Sequence, residues 1–126
     1  PVLRKNQPIE RASIIEDNFP ETIHVGAFMN NDIIGTSTIY PENRNDDNNE
    51  WRLRGMAILE NYQSKGIGGK LLNECFIFIK LKHGEILWCN ARIKAVNFYI
   101  RFGFSICSQE FDIPTIGPHF QMEKKI

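Results

Sequence analysis

The chain has 126 residues, 42% hydrophobic and 24% charged, with fifteen Lys plus Arg balancing fifteen Asp plus Glu. That length supports one core and one domain over residues 1–126, and the hydrophobic share excludes a chain disordered throughout. Zero net charge removes the basic surface of a nucleic-acid binder and the polybasic run of a membrane-surface protein, and no apolar run reaches the roughly 18 residues that span a bilayer.

Residues 1–22 are weakly patterned, punctuated by Pro8 and Pro20, with a short helical piece expected over 9–16. Two strand-like runs follow, 22–29 and 33–40, joined by Asn30-Asn31-Asp32, residues that tolerate left-handed backbone and signal a hairpin. The Asn- and Asp-rich stretch 41–50 reads as a solvent loop. Residues 51–59 read as a strand, with Trp51, Leu53 and Gly55 on one side and Arg52, Arg54, Met56 and Ile58 on the other. A glycine-rich turn leads into a helix over 66–82, whose apolar stripe is Ile67, Leu71, Leu72, Cys75, Phe76 and Ile79. His83-Gly84 ends it, with Gly84 suited to the helix C-terminus. The nearly all-apolar run 85–89 fits a central strand. A second helix over 92–102 carries Ala95, Phe98, Tyr99 and Phe102 at helical spacing, and strands are expected at 104–111 and 120–126, with a loop at 114–118 between them. The strand–helix–strand unit spanning 51–89 is expected to be parallel and right-handed. With the antiparallel hairpin before it, the fold class is a mixed-sheet α/β or α+β domain.

The three cysteines, Cys75, Cys89 and Cys107, sit in apolar sequence surroundings and show no Cys-x-x-Cys spacing, which argues against a disulfide framework and against a metal cage. With no apolar signal-peptide core in residues 1–6, the expected setting is reducing and cytoplasmic.

The segment Gln63-Ser64-Lys65-Gly66-Ile67-Gly68-Gly69-Lys70 has the makings of an anion site. Backbone N–H groups at a helix start lack intrahelical partners, the helix dipole adds positive potential, and glycine lets a phosphate approach the backbone. A dinucleotide fingerprint would need glycine at Leu71, and a P-loop would need glycine at Ser64 and Ser or Thr at Leu71, so both fail. A Gln-x-x-Gly-x-Gly phosphate cradle and a ligand-free glycine-rich helix entry remain.

Downstream, Asn90-Ala91-Arg92 is followed by Ala95-Val96-Asn97-Phe98-Tyr99 and then Arg101-Phe102-Gly103-Phe104. Together with the glycine segment, this run resembles the two signatures of the GNAT N-acetyltransferase superfamily, in that family's order and spacing. The stretch Leu87-Trp88-Cys89-Asn90-Ala91-Arg92 and the tail Phe111-Asp112-Ile113-Pro114 with Gly117-Pro118-His119 further resemble small bacterial members, including the ElaA-like branch.

The resemblance implies acetyl-CoA as cosubstrate, no metal, and direct transfer of the acetyl group to a small-molecule or peptide amine in a ternary complex. It also implies a splayed strand pair with the pantetheine arm in the wedge. Met56, Ala57 and Ile58 match strand positions that bond that arm. Gln63, Ser64, Lys65, Gly66, Ile67, Gly68, Gly69 and Lys70 match the diphosphate cradle. Asn90 and Asn97 match polar side chains near the cofactor, and Tyr99 matches the acid that protonates the leaving thiolate. The alternative for Tyr99 is a core aromatic. Glu50, Glu60, His119 and a water chain are the candidates for the base. Arg52 and Arg54 either pair with acidic neighbours or recognise an anionic acceptor, and Cys89, pointing away from Asn90, is not a nucleophile. Against the family pattern the first strand looks absent, which would leave an exposed sheet edge and favour a homodimer. The rival functions are a non-catalytic acyl-CoA-binding module and a nucleotide-binding regulator.

Overall fold

The computed structural model describes residues 11–15, 21–44, 49–63 and 65–126. Eight strands form one sheet: β1 (Arg11–Ile15), β2 (Ile23–Met29), β3 (Asp32–Pro41), β4 (Glu50–Ile58), β5 (Ile86–Arg92), β6 (Ser105–Ile106), β7 (Phe111–Ile113) and β8 (Gly117–Lys125). Helix α1 (Ile67–Leu81) joins β4 to β5, and a 3₁₀ turn followed by the short helix α2 (Val96–Arg101) follows β5. The strand order is β1-β2-β3-β4-β5-β8-β6, with β7 also pairing with β8.

The hairpin signal holds: Asn30 (φ 51°) and Asn31 (φ 70°) form the turn between β2 and β3. The helical piece expected over 9–16 does not: residues 11–15 are a strand, antiparallel to β2 at the sheet edge, and the rest of that span lies outside the described residues. A strand therefore precedes the hairpin where the sequence pattern placed none. At the other edge, the single strand expected over 104–111 is two short pieces, β6 and β7, separated by irregular chain.

One face of the sheet carries the core. Val25, Ala27, Ile39, Leu53, Leu87, Cys89 and Met122 join Leu71, Leu72, Cys75 and Ile79 of α1 in one cluster. Each fully buried Leu, Ile or Met here contributes about 1.5–3 kcal/mol of transfer free energy. The alternation along β4 departs from the simple period of two. Leu53 pairs with Ile39 and Gly55 with Thr38, so Arg54 is the extra residue of a β-bulge. The bulge resets the phase and puts Leu53, Met56 and Ile58 on the same helix-facing side, where the sequence pattern had separated Leu53 from the other two.

At the end of α1 the left-handed residue is His83 (φ 61°) rather than Gly84. Gly84 N–H donates to Ile79 O at 2.9 Å and His83 N–H to Lys80 O at 3.0 Å, the Schellman pattern. Gly84 is needed for space instead: a Cβ there would lie 2.4 Å from Ile79 Cγ2 and 2.7 Å from Trp51 Cδ1.

β4 and β5 are parallel, but only Glu50–Arg52 and Ile86–Trp88 pair. Beyond them β4 follows β3 and β5 follows β8, so the two strands part. Below the parting the chain is tied together by charge. Glu50, 2% exposed, is held by Arg44 through Nε (2.9 Å), Nη2 (3.0 Å) and the backbone N–H (2.9 Å). The same guanidinium reaches Glu123 at 2.9 Å. The hydrogen bonds that Arg44 donates to Glu50 are the main cause of its raised pKa, against the opposing effect of burial. The stretch expected to be a solvent loop thus packs at both described ends; residues 45–48 lie outside the described residues.

Removing one partner of a buried ion pair leaves the other uncompensated, which costs about 3–5 kcal/mol. Arg44 retains some exposure, so Arg44→Ala is expected at the lower end, about 3 kcal/mol, by urea unfolding. A loss under about 1 kcal/mol would show that Glu50 finds compensation elsewhere.

Candidate active site

Helix α1 begins at Gly66, the N-cap, in the left-handed conformation (φ 80°), with no side chain capping the first turn and no acidic residue within it. Helix geometry denies the N–H groups of Ile67, Gly68 and Gly69 an intrahelical partner. Lys65 and Lys70 are exposed beside this end. Ser64 lies outside the described residues.

The three glycines do different things. Only Gly66 needs its backbone freedom. Gly68 and Gly69 lie under aromatic rings of α2: an added Cβ would come 2.9 Å from Phe98 Cζ at Gly68 and 2.4 Å from Phe102 Cζ at Gly69. The sequence reading gave these glycines to the approach of a phosphate; in the structure they admit two phenyl rings. Phe98 and Phe102 contact each other (centroids 5.1 Å), and Phe98 contacts Tyr99 edge-on (5.2 Å).

Between these parts lies a cavity of about 660 Å³. Met56 and Ile58 of β4 form one wall, Gly66 to Gly69 another, and Phe98, Tyr99 and Arg101 of α2 with Phe102 just after it a third. Gln63 lines the mouth and its Nε2 donates to Ile58 O at 3.2 Å. The structure therefore brings together Met56, Ile58, Gln63, Gly66, Ile67, Gly68, Gly69 and Tyr99 from the sequence-derived set. It leaves Ala57 and Asn97 exposed, outside the cavity wall. Ala95, Phe98, Arg101 and Phe102 line it without having been assigned to it. Their signal was the helical stripe, which looks the same whether it seals a core or borders a cavity.

Asn90 stands on β5 just past the paired segment. Its Oδ1 is buried with no hydrogen-bond partner among the described residues. An unpaired buried carbonyl costs about 1–3 kcal/mol, so a donor lying between the parted strands would stabilise it.

Tyr99 is half-buried and packs on Phe104 (centroids 5.2 Å). Its hydroxyl has no hydrogen-bond partner among the described residues. Burial pushes its pKa well above the ordinary phenol value, with smaller contributions from Cys89 and Cys75. Burial likewise pushes the Cys75 thiol to about 11 and the Cys89 thiol to about 12, so both are protonated and inert at neutral pH. Cys107 is not in apolar surroundings, as its sequence neighbours suggested. It is exposed, 3.5 Å from Arg44 Nη1, and donates to Gln121 O at 3.4 Å.

Of the candidate bases, Glu50 is bound up by Arg44. Glu60 is exposed in a 3₁₀ turn away from the cavity wall. His119 is 4% exposed, pairs Nδ1 with Gly117 O at 2.8 Å and stacks on Phe111. Donation from Nδ1 to that carbonyl makes Nε2 the lone-pair nitrogen.

The profile of the family described as "Acetyltransferase (GNAT) domain" matches residues 20–106. The uncharacterized N-acetyltransferase YitI of Bacillus subtilis (strain 168) is 31% identical over 127 aligned residues, covering 99% of this chain and 85% of its own. Among solved structures, a GNAT family acetyltransferase from Elizabethkingia anophelis with acetyl-CoA bound superposes with a TM-score of 0.69 at 20% identity, covering 84% of this chain and 77% of its own. An acetyltransferase of the GNAT family from Streptococcus pneumoniae gives 0.70 at 24% identity, covering 86% and 69%. At those identities the two structures speak for the fold.

The contact between Gly69 and Phe102 is open to test. Gly69→Ala gains about 1 kcal/mol of helix propensity and loses about 1–3 by overpacking, so a net loss near 1 kcal/mol is expected. A double-mutant cycle with Phe102→Leu should give a coupling energy of about 1 kcal/mol, measured by urea unfolding. Zero coupling would contradict the contact.

Proposed function

The chain belongs to the GNAT acetyltransferase family and is an N-acetyltransferase, and from that premise we propose that it moves an acetyl group from acetyl-CoA directly to an amine, with Tyr99 as the acid. The observation that carries this reading is the cavity: one continuous space borders both the uncapped N-terminus of α1 and Tyr99.

The residues present fit such a cosubstrate. The first turn of α1 offers unpaired N–H groups, a positive dipole end and no competing carboxylate to a diphosphate, with Lys65 and Lys70 adding charge. Asn90 Oδ1 is an unmet acceptor for an amide N–H of the arm. The β5-facing edge of β4 beyond Arg52 has no strand partner among the described residues, so its backbone groups can bond the arm as an added strand would.

In the transfer the amine nitrogen bonds the thioester carbon, the carbon–sulfur bond breaks, and its electron pair leaves on sulfur. Tyr99 holds a proton at its hydroxyl and gives it to that sulfur. The ammonium proton lost by the nucleophile passes to water, since no Asp or Glu among the described residues stands in the cavity wall, and water restores the phenol. The products are an amide and a free thiol. Because burial raises the Tyr99 pKa, the acid form persists to higher pH than an exposed phenol, whose pKa is about 10.

Coenzyme A at a hundredfold excess over its Kd should raise the melting temperature by on the order of 10 °C, and acetyl-CoA with a panel of amines should release thiol. Tyr99→Phe is expected to lower kcat about 100-fold while leaving that melting shift in place. The pH–rate profile of the unsubstituted chain should show no descending limb from Tyr99 below pH of about 10. Binding without thiol release would favour the non-catalytic module, and no binding at all would defeat the reading.

A further inference from the structure

The sheet face opposite α1 is polar where β4 and β5 part. Three carboxylates stand on it, and each is already engaged by an arginine: Glu42 by Arg52 at 3.0 Å, and Glu50 and Glu123 by Arg44 at 2.9 Å each. Both of those guanidinium groups lie over Trp88, at 4.8 Å for Arg52 and 5.2 Å for Arg44. Arg54 is different. It is exposed on the bulge, at the start of the stretch of β4 that has left β5 and two residues before Met56 of the cavity wall. Its hydrogen bond is to the Tyr40 hydroxyl at 3.5 Å, long for a charged donor, and it has no carboxylate partner among the described residues. Beside it, Arg52 Nε is buried with no partner. Three guanidinium groups thus meet three carboxylates on this face, and among the described residues the one without a carboxylate is Arg54, at the mouth of the parting.

An arginine without a carboxylate at that mouth repels a second cationic group and attracts an amine whose second group is negative. Resting on the acetyl-transfer reading above, we propose that the acceptor is an amine carrying its own carboxylate, and that Arg54 takes that carboxylate as the amine enters from this face. The amine is the nucleophile, and the carboxylate is bound without reacting.

The test measures acetylation of several amino acids, each paired with its own amide, and of spermidine, with rates corrected for the fraction of neutral amine. The carboxylates should exceed their amides about tenfold in kcat/KM, with spermidine lowest, since a charged hydrogen bond is worth that much. Arg54→Gln should bring the ratio close to one by raising KM for the carboxylates, while the melting shift with coenzyme A shows that the variant is folded and still binds it. The proposal is overturned by a ratio near one in the unsubstituted chain, by spermidine as the best acceptor, by no turnover of any amine, or by a ratio that survives Arg54→Gln. In each of those cases a persisting coenzyme A shift leaves the cosubstrate assignment standing. Loss of the shift in the unsubstituted chain removes that assignment, and this one with it.

Discussion

Three paired residues on each strand, and then none, is the constraint on which the site depends. Glu50–Arg52 and Ile86–Trp88 hold β4 and β5 together, and past Arg52 each strand is committed elsewhere. β5 pairs with β8 along its whole length, Ile86 to Arg92, and β4 pairs with β3 to Ile58. The bulge at Arg54 adds local twist at the point of departure. Parting exposes backbone groups that would otherwise be satisfied, so the sheet is weakest there. The Arg44 clamp on Glu50 and Glu123 lies just below and ties the start of β4 to β8 across β5, so the opening cannot spread downward without breaking buried charge pairs.

The second constraint is spatial. Helix α2 has only six residues, too few to be stable alone, so its position comes from what its side chains touch. Phe98 and, at the C-cap just past the helix, Phe102 rest on Gly68 and Gly69, and Tyr99 rests on Phe104, which in turn meets Phe76 of α1. The glycine segment therefore serves two purposes at once. Its backbone end is open to an anion, and its missing side chains let the helix bearing Tyr99 come close. The packing thus sets the start of α1 and Tyr99 against one cavity.

Much of this was legible in the residues, and the failures have identifiable causes. The apolar stripe from Ile67 to Ile79 specified α1, because burial at a period of 3.6 has few alternatives. The Asn30-Asn31 turn was legible because few other residue types accept two consecutive left-handed positions. The phase change along β4 was not, since a bulge at Arg54 leaves no mark in composition. The burial of Glu50 was hidden because its partners, Arg44 and the Asn43 side chain that accepts its backbone N–H, matter only once the chain folds back. His83 took the left-handed position from Gly84 because Gly84 was needed for clearance against Trp51 and Ile79. The edge strands β1, β6 and β7 are short, and pairing with a neighbour, more than local propensity, decides them. Within the site, the cavity wall on β4 and α1 followed from motif positions. The contribution of Arg101 and the exclusion of Asn97 depended on the rotation of α2.

The acid role proposed for Tyr99 turns on a difference between two shifted values. In water a phenol near 10 is a weaker acid than a thiol near 8.5, so proton transfer to a thiolate is uphill by about 2 kcal/mol. Burial raises the phenol further, which taken alone makes matters worse. In the proposed reaction, however, the sulfur would also leave in partly buried surroundings, and the protein's own buried thiols show the direction in which burial acts on sulfur. Cys89 is pushed up to about 12 and Cys75 to about 11, in both cases chiefly by burial. A thiolate expelled into comparable surroundings would be about as penalised as the phenolate, so the gap would stay near its value in water instead of widening. Desolvation would thus act on donor and acceptor together and leave the proposed transfer about as uphill as it is in water, a step within the reach of general acid catalysis.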